Sequence, residues 1–222
     1  MDGATAKQRA VRWGRRRTGN TSGRLGPLNC DSLIYMSRLI VVVSGLPGSG
    51  NSTLAGGLAS ALSLPLIDKD DVLEALLDSP ETAAVPRGQL SRAADVVLQR
   101  LVAGMSSGVV VASFWRYSAL SVTSGTPTQW LADIDGAWIV EVFCDCPPTL
   151  AADRFLSRTR HAGHGDATAT REDTVAGFQQ LHAQGPLGIG RLVRVTTSRP
   201  VDVRLVAEEV ARGVPLVQDG QS

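Results

Sequence analysis

"VVVSGLPGSGNSTLAGGLASAL", residues 41–62, is the stretch on which the fold turns. Its opening valines are β-branched and carry no polar face, the pattern of a strand buried on both sides of a parallel sheet. The run passes at once into a loop with glycines at 45, 48 and 50, and then into small and apolar residues with helical periodicity over about 52–63. Glycines at those positions let the backbone take positive φ, so that successive N–H groups converge on an anion. The helix behind them adds the positive end of its dipole.

The phosphate-loop pattern G-x-x-x-x-G-K-[ST] is met by Gly45, Gly50 and Ser52, with Thr53 following, but Asn51 stands at the lysine position. The expected cradle is Gly45, Pro47, Gly48, Ser49, Gly50, Asn51, Ser52 and Thr53, and the Ser52 hydroxyl is the expected Mg²⁺ ligand. What is missing is the ammonium that stabilises charge on the phosphates during transfer. Removing one such donor costs about 10²- to 10³-fold in rate, whereas binding through backbone N–H groups suffers less. Three accounts of Asn51 stay open: a changed lysine codon, compensation by Lys69 or an arginine of a lid, and a site that binds nucleotide without turning it over.

Outward from the loop, apolar runs alternate with helical periods, which predicts βαβ units around a parallel sheet. The predicted strands cover 39–44, 64–68, "GVVVASFWR" (108–116), "AWIVEVFCDC" (137–146) and "RLVRVTTS" (191–198). The predicted helices cover 52–63, a stretch opened by "DKDD" and stopped by Pro80, 87–105, "PTLAADRFLSRTR" (148–160), 171–183 and 200–214. Asp70 or Asp71 is the expected cap of the second helix. The polar, glycine-punctuated stretch 160–173 suits a lid.

Composition bounds the rest. A chain of 222 residues with 43% hydrophobic and 19% charged residues fits one sizeable core. Residues 1–35 carry seven basic side chains against Asp2 and Asp31, which predicts an unstructured basic extension, with Met36 a candidate translation start. Residues 36–215 form the expected domain and 216–222 a tail. Downstream of residue 35 the balance is 15 basic to 19 acidic, so nucleic acid is an expected partner only through the basic segment. No run approaches a membrane span, and a cytoplasmic location is expected. Cys30, Cys144 and Cys146 have no metal-site spacing, and buried free thiols are the expectation for the latter two. His161 and His164 with Asp166 lack a third well-spaced ligand and fit the lid surface.

With the loop, "IDKDD", "SFWR", "CPPTLAADRFLSRTR" and "RVTTSRPVDV" in this order, the chain resembles the small bacterial P-loop kinases. That group contains chloramphenicol phosphotransferase, gluconate kinase, zeta toxins and the kinase domain of polynucleotide kinase, and includes proteins called AAA family ATPases. The resemblance runs over about 38–212. It implies an α/β, three-layer P-loop NTPase fold with a five-stranded parallel sheet of order 2-3-1-4-5, ATP and Mg²⁺ at the C-terminal strand edge, and a lid bearing arginines. It also implies a carboxylate after the second strand as general base toward a hydroxyl-bearing small-molecule acceptor.

Asp68, Asp70 and Asp71 occupy that place, with one expected to cap the helix and Asp70, then Asp71, expected to act. Lys69 between them reads either as a solvated surface charge or as a stand-in for the lost ammonium. Arg154 and Arg158 share a helical face and, with Arg160, either clamp the transferred phosphate or form a solvated face with partners such as Asp153. Arg116 is placed to read the acceptor, and Trp115 either walls it or packs. The third strand ends in Ala112 and Ser113 where related kinases often carry an acidic Mg²⁺ residue. The acceptor itself is not legible, its pocket being drawn from segments such as 80–100 and 114–130. The expected activity is ATP-dependent phosphoryl transfer to a hydroxyl; the rival is a nucleotide-binding module that regulates without catalysis.

Overall fold

The computed structural model describes residues 34–36, 38–117, 124–159, 161–164 and 170–218. Residues 1–33 of the basic segment, Arg160 and Asp166 lie outside the described residues. Five parallel strands form the sheet: β1 (Arg38–Gly45), β2 (Leu66–Asp68), β3 (Gly108–Ala112), β4 (Ala137–Asp145) and β5 (Arg191–Thr196). Their spatial order is β2-β3-β1-β4-β5, the order the resemblance implies. A short antiparallel pair joins Ile34–Met36 to Leu216–Gln218 and was not foreseen. It lies in stretches without strand periodicity, and pairing between distant segments leaves no local signal.

Ile40, Val41, Val42 and Val43 of β1 are fully buried, because helices cover both faces of the sheet. Leu39, Val41 and Val43 face α1 (Asn51–Leu62) and α6 (Val203–Ala211), packing with Leu54, Leu58, Ala207 and Val210. Ile40 and Val42 face α3 (Arg87–Gly104), packing with Leu98 and Val102. α2 (Lys69–Asp78) lies on α3 through Leu73, Leu90 and Ala94. α4 (Pro148–Ser157) and α5 (Arg171–His182) share a smaller cluster around Ala151, Ala152 and Phe178. Among the described residues no helix is long and apolar enough to cross a membrane.

Glu141, in the middle of β4 and 1% exposed, was not picked out from the sequence. Its Oε1 accepts from Ser44 Oγ at 2.6 Å and Leu187 N at 2.7 Å, and its Oε2 from Gly188 N at 3.0 Å. One buried carboxyl thus holds the turn before β5 and the end of β1, satisfying donors that would otherwise be orphaned. Glu141→Gln replaces one accepting oxygen by a donor facing an N–H, and should lower stability by about 1–3 kcal/mol in chemical denaturation with the slope unchanged.

Candidate functional site

The loop after β1 has the predicted conformation. Gly45, Gly48 and Gly50 have φ of 140°, 80° and 97°, and Gly50 caps α1. At Gly48 the need for glycine is also steric: a Cβ would collide with the carbonyl oxygen of Ala151 and lie 2.9 Å from Phe155 N. The loop therefore rests directly on α4, and this contact sets where the arginines of α4 stand relative to it.

Asn51 is turned back into the loop. Its Nδ2 donates to the carbonyls of Gly45 (3.2 Å) and Leu46 (3.3 Å), and its Oδ1 accepts from Ser49 Oγ at 2.8 Å. The amide ties the loop's curvature together and brings no ionised group to it.

The carboxylates after β2 divide differently from expectation. Asp68, rather than Asp70 or Asp71, caps α2: its Oδ1 accepts from Asp70 N at 3.0 Å, because its extended φ of −101° turns the side chain over the first helical turn. Its Oδ2 accepts from Ser52 Oγ at 2.9 Å. Burial raises its pKa above the ordinary 3.8, and these two hydrogen bonds oppose that rise. Asp70, on the first turn of α2, lines the same cavity, whereas Asp71 is exposed and does not line it. Ser52 Oγ and the Asp68 carboxyl are hard oxygen donors side by side, a donor set that fits Mg²⁺.

Lys69 is not a solvated charge. It is 7% exposed, its Nζ lies 2.7 Å from Asp95 Oδ1, and it donates to Ser91 Oγ at 3.1 Å. Asp95 Oδ1 also accepts from Thr126 Oγ1 at 2.7 Å, and Thr126 is within 2.6 Å of Ser113 Oγ. Ser113, at the end of β3, thus joins a polar chain running through Thr126 and Asp95 to Lys69. The sequence placed Lys69 on a polar helix start; that its partner waits on α3, 26 positions on, is a tertiary fact.

A cavity of about 420 Å³ opens beside the loop, lined by Gly50, Asn51, Ser52, Asp68, Asp70 and Arg158 among others. Arg87 and Ser91 of α3, with Phe114, Ser124 and Gly125, complete its wall, so both segments expected to build an acceptor pocket contribute. A second cavity of about 540 Å³ lies across the loop, between Arg154 and Arg158 and the segment after β5 that includes Arg199 and Pro200. Gly48, Gly50 and Thr53 line both.

Trp115 is 1% exposed and donates from Nε1 to Val43 O at 2.8 Å, so it packs, and Phe114 beside it is the aromatic in the cavity. Alternation along the chain, with Trp115 turned inward, places Phe114 on the other side. Arg116 does not line the cavity; its guanidinium donates to the Ser124 and Gly125 carbonyls, both at 3.1 Å, clasping the turn in place. α4 ends at Ser157, leaving Arg158 as its C-cap, and Arg154 donates from Nη1 to Thr197 O at 2.9 Å. Asp153 pairs not with these arginines but with Arg171 of α5, at 2.7 Å.

The lid stretch is anchored where the structure describes it. Arg87 Nε donates to Gly163 O at 2.7 Å, and His161 Nε2 is 2.8 Å from Asp78 Oδ1. Arg87, unforeseen from sequence, both lines the cavity and holds this segment at its rim. Among the described residues no group of three or more His, Cys, Asp or Glu side chains is placed to hold a metal ion between them. Cys144 and Cys146 are free and buried, and burial pushes the Cys144 thiol up to about 12.

No protein-family model matches the chain. It is 31% identical over 141 residues to uncharacterized protein Rv2004c of Mycobacterium tuberculosis and to uncharacterized protein Mb2027c of Mycobacterium bovis. The match takes in 59% of this chain and 27% of theirs, so the chain spans about a quarter of the length of these curated relatives. Among solved structures, it is similar to a candidate kinase from Chloroflexus aurantiacus j-10-fl, with a TM-score of 0.60 and 23% identity over 78% of this chain and 97% of that one. It is also similar to shikimate kinase from Acinetobacter baumannii, with a TM-score of 0.53 and 13% identity over 79% and 92% of the two chains. At these identities the likeness is one of fold, and the fold is that of the P-loop kinases.

Proposed function

We propose that the protein binds ATP with Mg²⁺ and transfers the γ-phosphoryl group to a hydroxyl of a small acceptor. The observation that carries this reading is the convergence, in one cavity, of the phosphate loop, the Ser52–Asp68 pair, Asp70 and Arg158. The phosphates lie on the loop N–H groups and the start of α1, and the nucleoside extends into the second cavity beside Arg154. Mg²⁺, when bound at Ser52 and Asp68, neutralises charge on the phosphates. Asp70 orients the acceptor hydroxyl and takes its proton late in transfer. The rim segment held by Arg87 and Asp78 supports an enclosed small acceptor rather than the end of a polymer.

The test is ATP consumption against a panel of sugars, nucleosides and aminoglycosides, with ADP release above the acceptor-free rate as the expected result. A second reading, a nucleotide-binding module without catalysis, rests on Asn51. Nucleotide binding without turnover, in both the natural chain and Asn51→Lys, would establish the module and sink the kinase reading.

A pH dependence follows from Asp68. The group must be ionised to hold Mg²⁺, and its pKa lies above the ordinary 3.8. The acid limb of kcat/KM should therefore fall at higher pH than a surface aspartate would give, and Asp68→Asn should shift that limb and raise the Mg²⁺ concentration needed for half-maximal rate. The sign for stability is the opposite: with the folded pKa raised, the contribution of Asp68 to folding is full below 3.8 and is lost as pH rises through the raised value. Thermal unfolding of the Mg²⁺-free protein at a series of pH values reads this directly.

A further inference from the structure

We propose that Arg158 takes over the charge that the loop lysine carries in the usual phosphate loop, so that the cation comes from the end of α4 instead of from α1. The inference rests on the reading of the site as an ATP site. Asn51 leaves the loop without an ionised donor, because its amide is spent on the carbonyls of Gly45 and Leu46. Each of the other described cations at the two cavities lines one of them only, Lys69 and Arg87 the first, Arg154 and Arg199 the second.

Among the described residues, Arg158 is the one charged side chain that lines both cavities, the position of a group that spans the phosphates from the nucleoside side to the acceptor side. Two contacts put it there. Gly48 lets the loop sit against α4 at Ala151 and Phe155, and the Arg158 guanidinium stacks on Phe155, 5.2 Å from its ring centroid. A guanidinium with its planar fork of donors suits two phosphate oxygens at once. In the transfer step the acceptor oxygen bonds to the γ-phosphorus while the bond from that phosphorus to the β–γ bridging oxygen breaks. The electron pair stays on ADP, the acceptor proton passes to Asp70, and Arg158 faces the charge gathering on the phosphate oxygens.

The test is a double-mutant cycle on binding, which does not depend on knowing the acceptor. Affinities for ADP and for the β,γ-imido analogue of ATP, with Mg²⁺, are measured by calorimetry in the natural chain, Arg158→Met, Asn51→Lys and the double variant. Arg158→Met should weaken binding of the triphosphate analogue by about 10- to 100-fold in the natural chain, and by less than threefold once Asn51→Lys restores the loop cation. ADP affinity should change little in either background, and Arg158→Lys should recover part of the loss. Thermal unfolding should be unaltered, since Arg158 is exposed. An equal loss in both backgrounds, or a loss below threefold in the natural chain, overturns the inference while leaving the ATP site standing. A natural chain that binds neither nucleotide overturns the functional reading and the inference with it.

Discussion

Asp70→Asn is expected to lower turnover by about 10²- to 10⁴-fold while leaving ATP affinity unchanged. The side chain keeps its size and can still meet the acceptor, but it cannot take the proton as the bond to phosphorus forms. Asp71→Asn is the matched control. Asp71 is exposed and does not line the cavity, so its replacement should stay within about 0.5 kcal/mol in both stability and transition-state energy. Comparable losses in the two variants would mean that the geometry of α2 does not select the acting carboxylate, and a loss confined to Asp71→Asn would reverse the assignment. Steady-state kinetics with the best acceptor, beside calorimetric ATP binding, gives the answer.

Lys69→Met should cost about 3–5 kcal/mol of stability, the scale for breaking a buried ion pair from one side. Asp95, 8% exposed in the native protein, would lose its ion-pair partner and keep the Thr126 hydroxyl as a donor. For a domain of this size that is a fall of about 10 °C in Tm. A solvated lysine would move Tm hardly at all, so a shift under about 2 °C would refute the pairing. Lys69→Met together with Asp95→Leu removes both charges and should recover much of the loss, which separates the ion pair from simple packing. Turnover should drop as well, since Lys69 stands between Asp68 and Asp70 and ties their helix to α3.

Much of the fold was legible in local patterns. The valine run of β1 and the glycine loop carry their own geometry, because β-branched residues and positive-φ glycines each restrict the backbone to a few conformations. The strand and helix ends shifted by a few residues, as with Arg158, which lies just beyond α4 although its periodicity continues to Arg160. The site residues from the loop and from 68–70 are contiguous in sequence and were found by pattern. Arg87, Phe114, Ser113 and Glu141 were not, because a lone arginine, phenylalanine, serine or glutamate has no periodicity of its own and its role depends on what lies opposite.

The sequence by itself determined the parallel sheet, the phosphate cradle and the absence of its lysine, since these rest on backbone preferences that act over a few residues. Only the tertiary structure decided which aspartate caps α2 and which faces the cavity, that Lys69 is buried against Asp95, and that Arg158 stands where two cavities meet. The physical reason is the same in each case: a charge takes its meaning from burial and from partners tens of residues away, and both are set by packing.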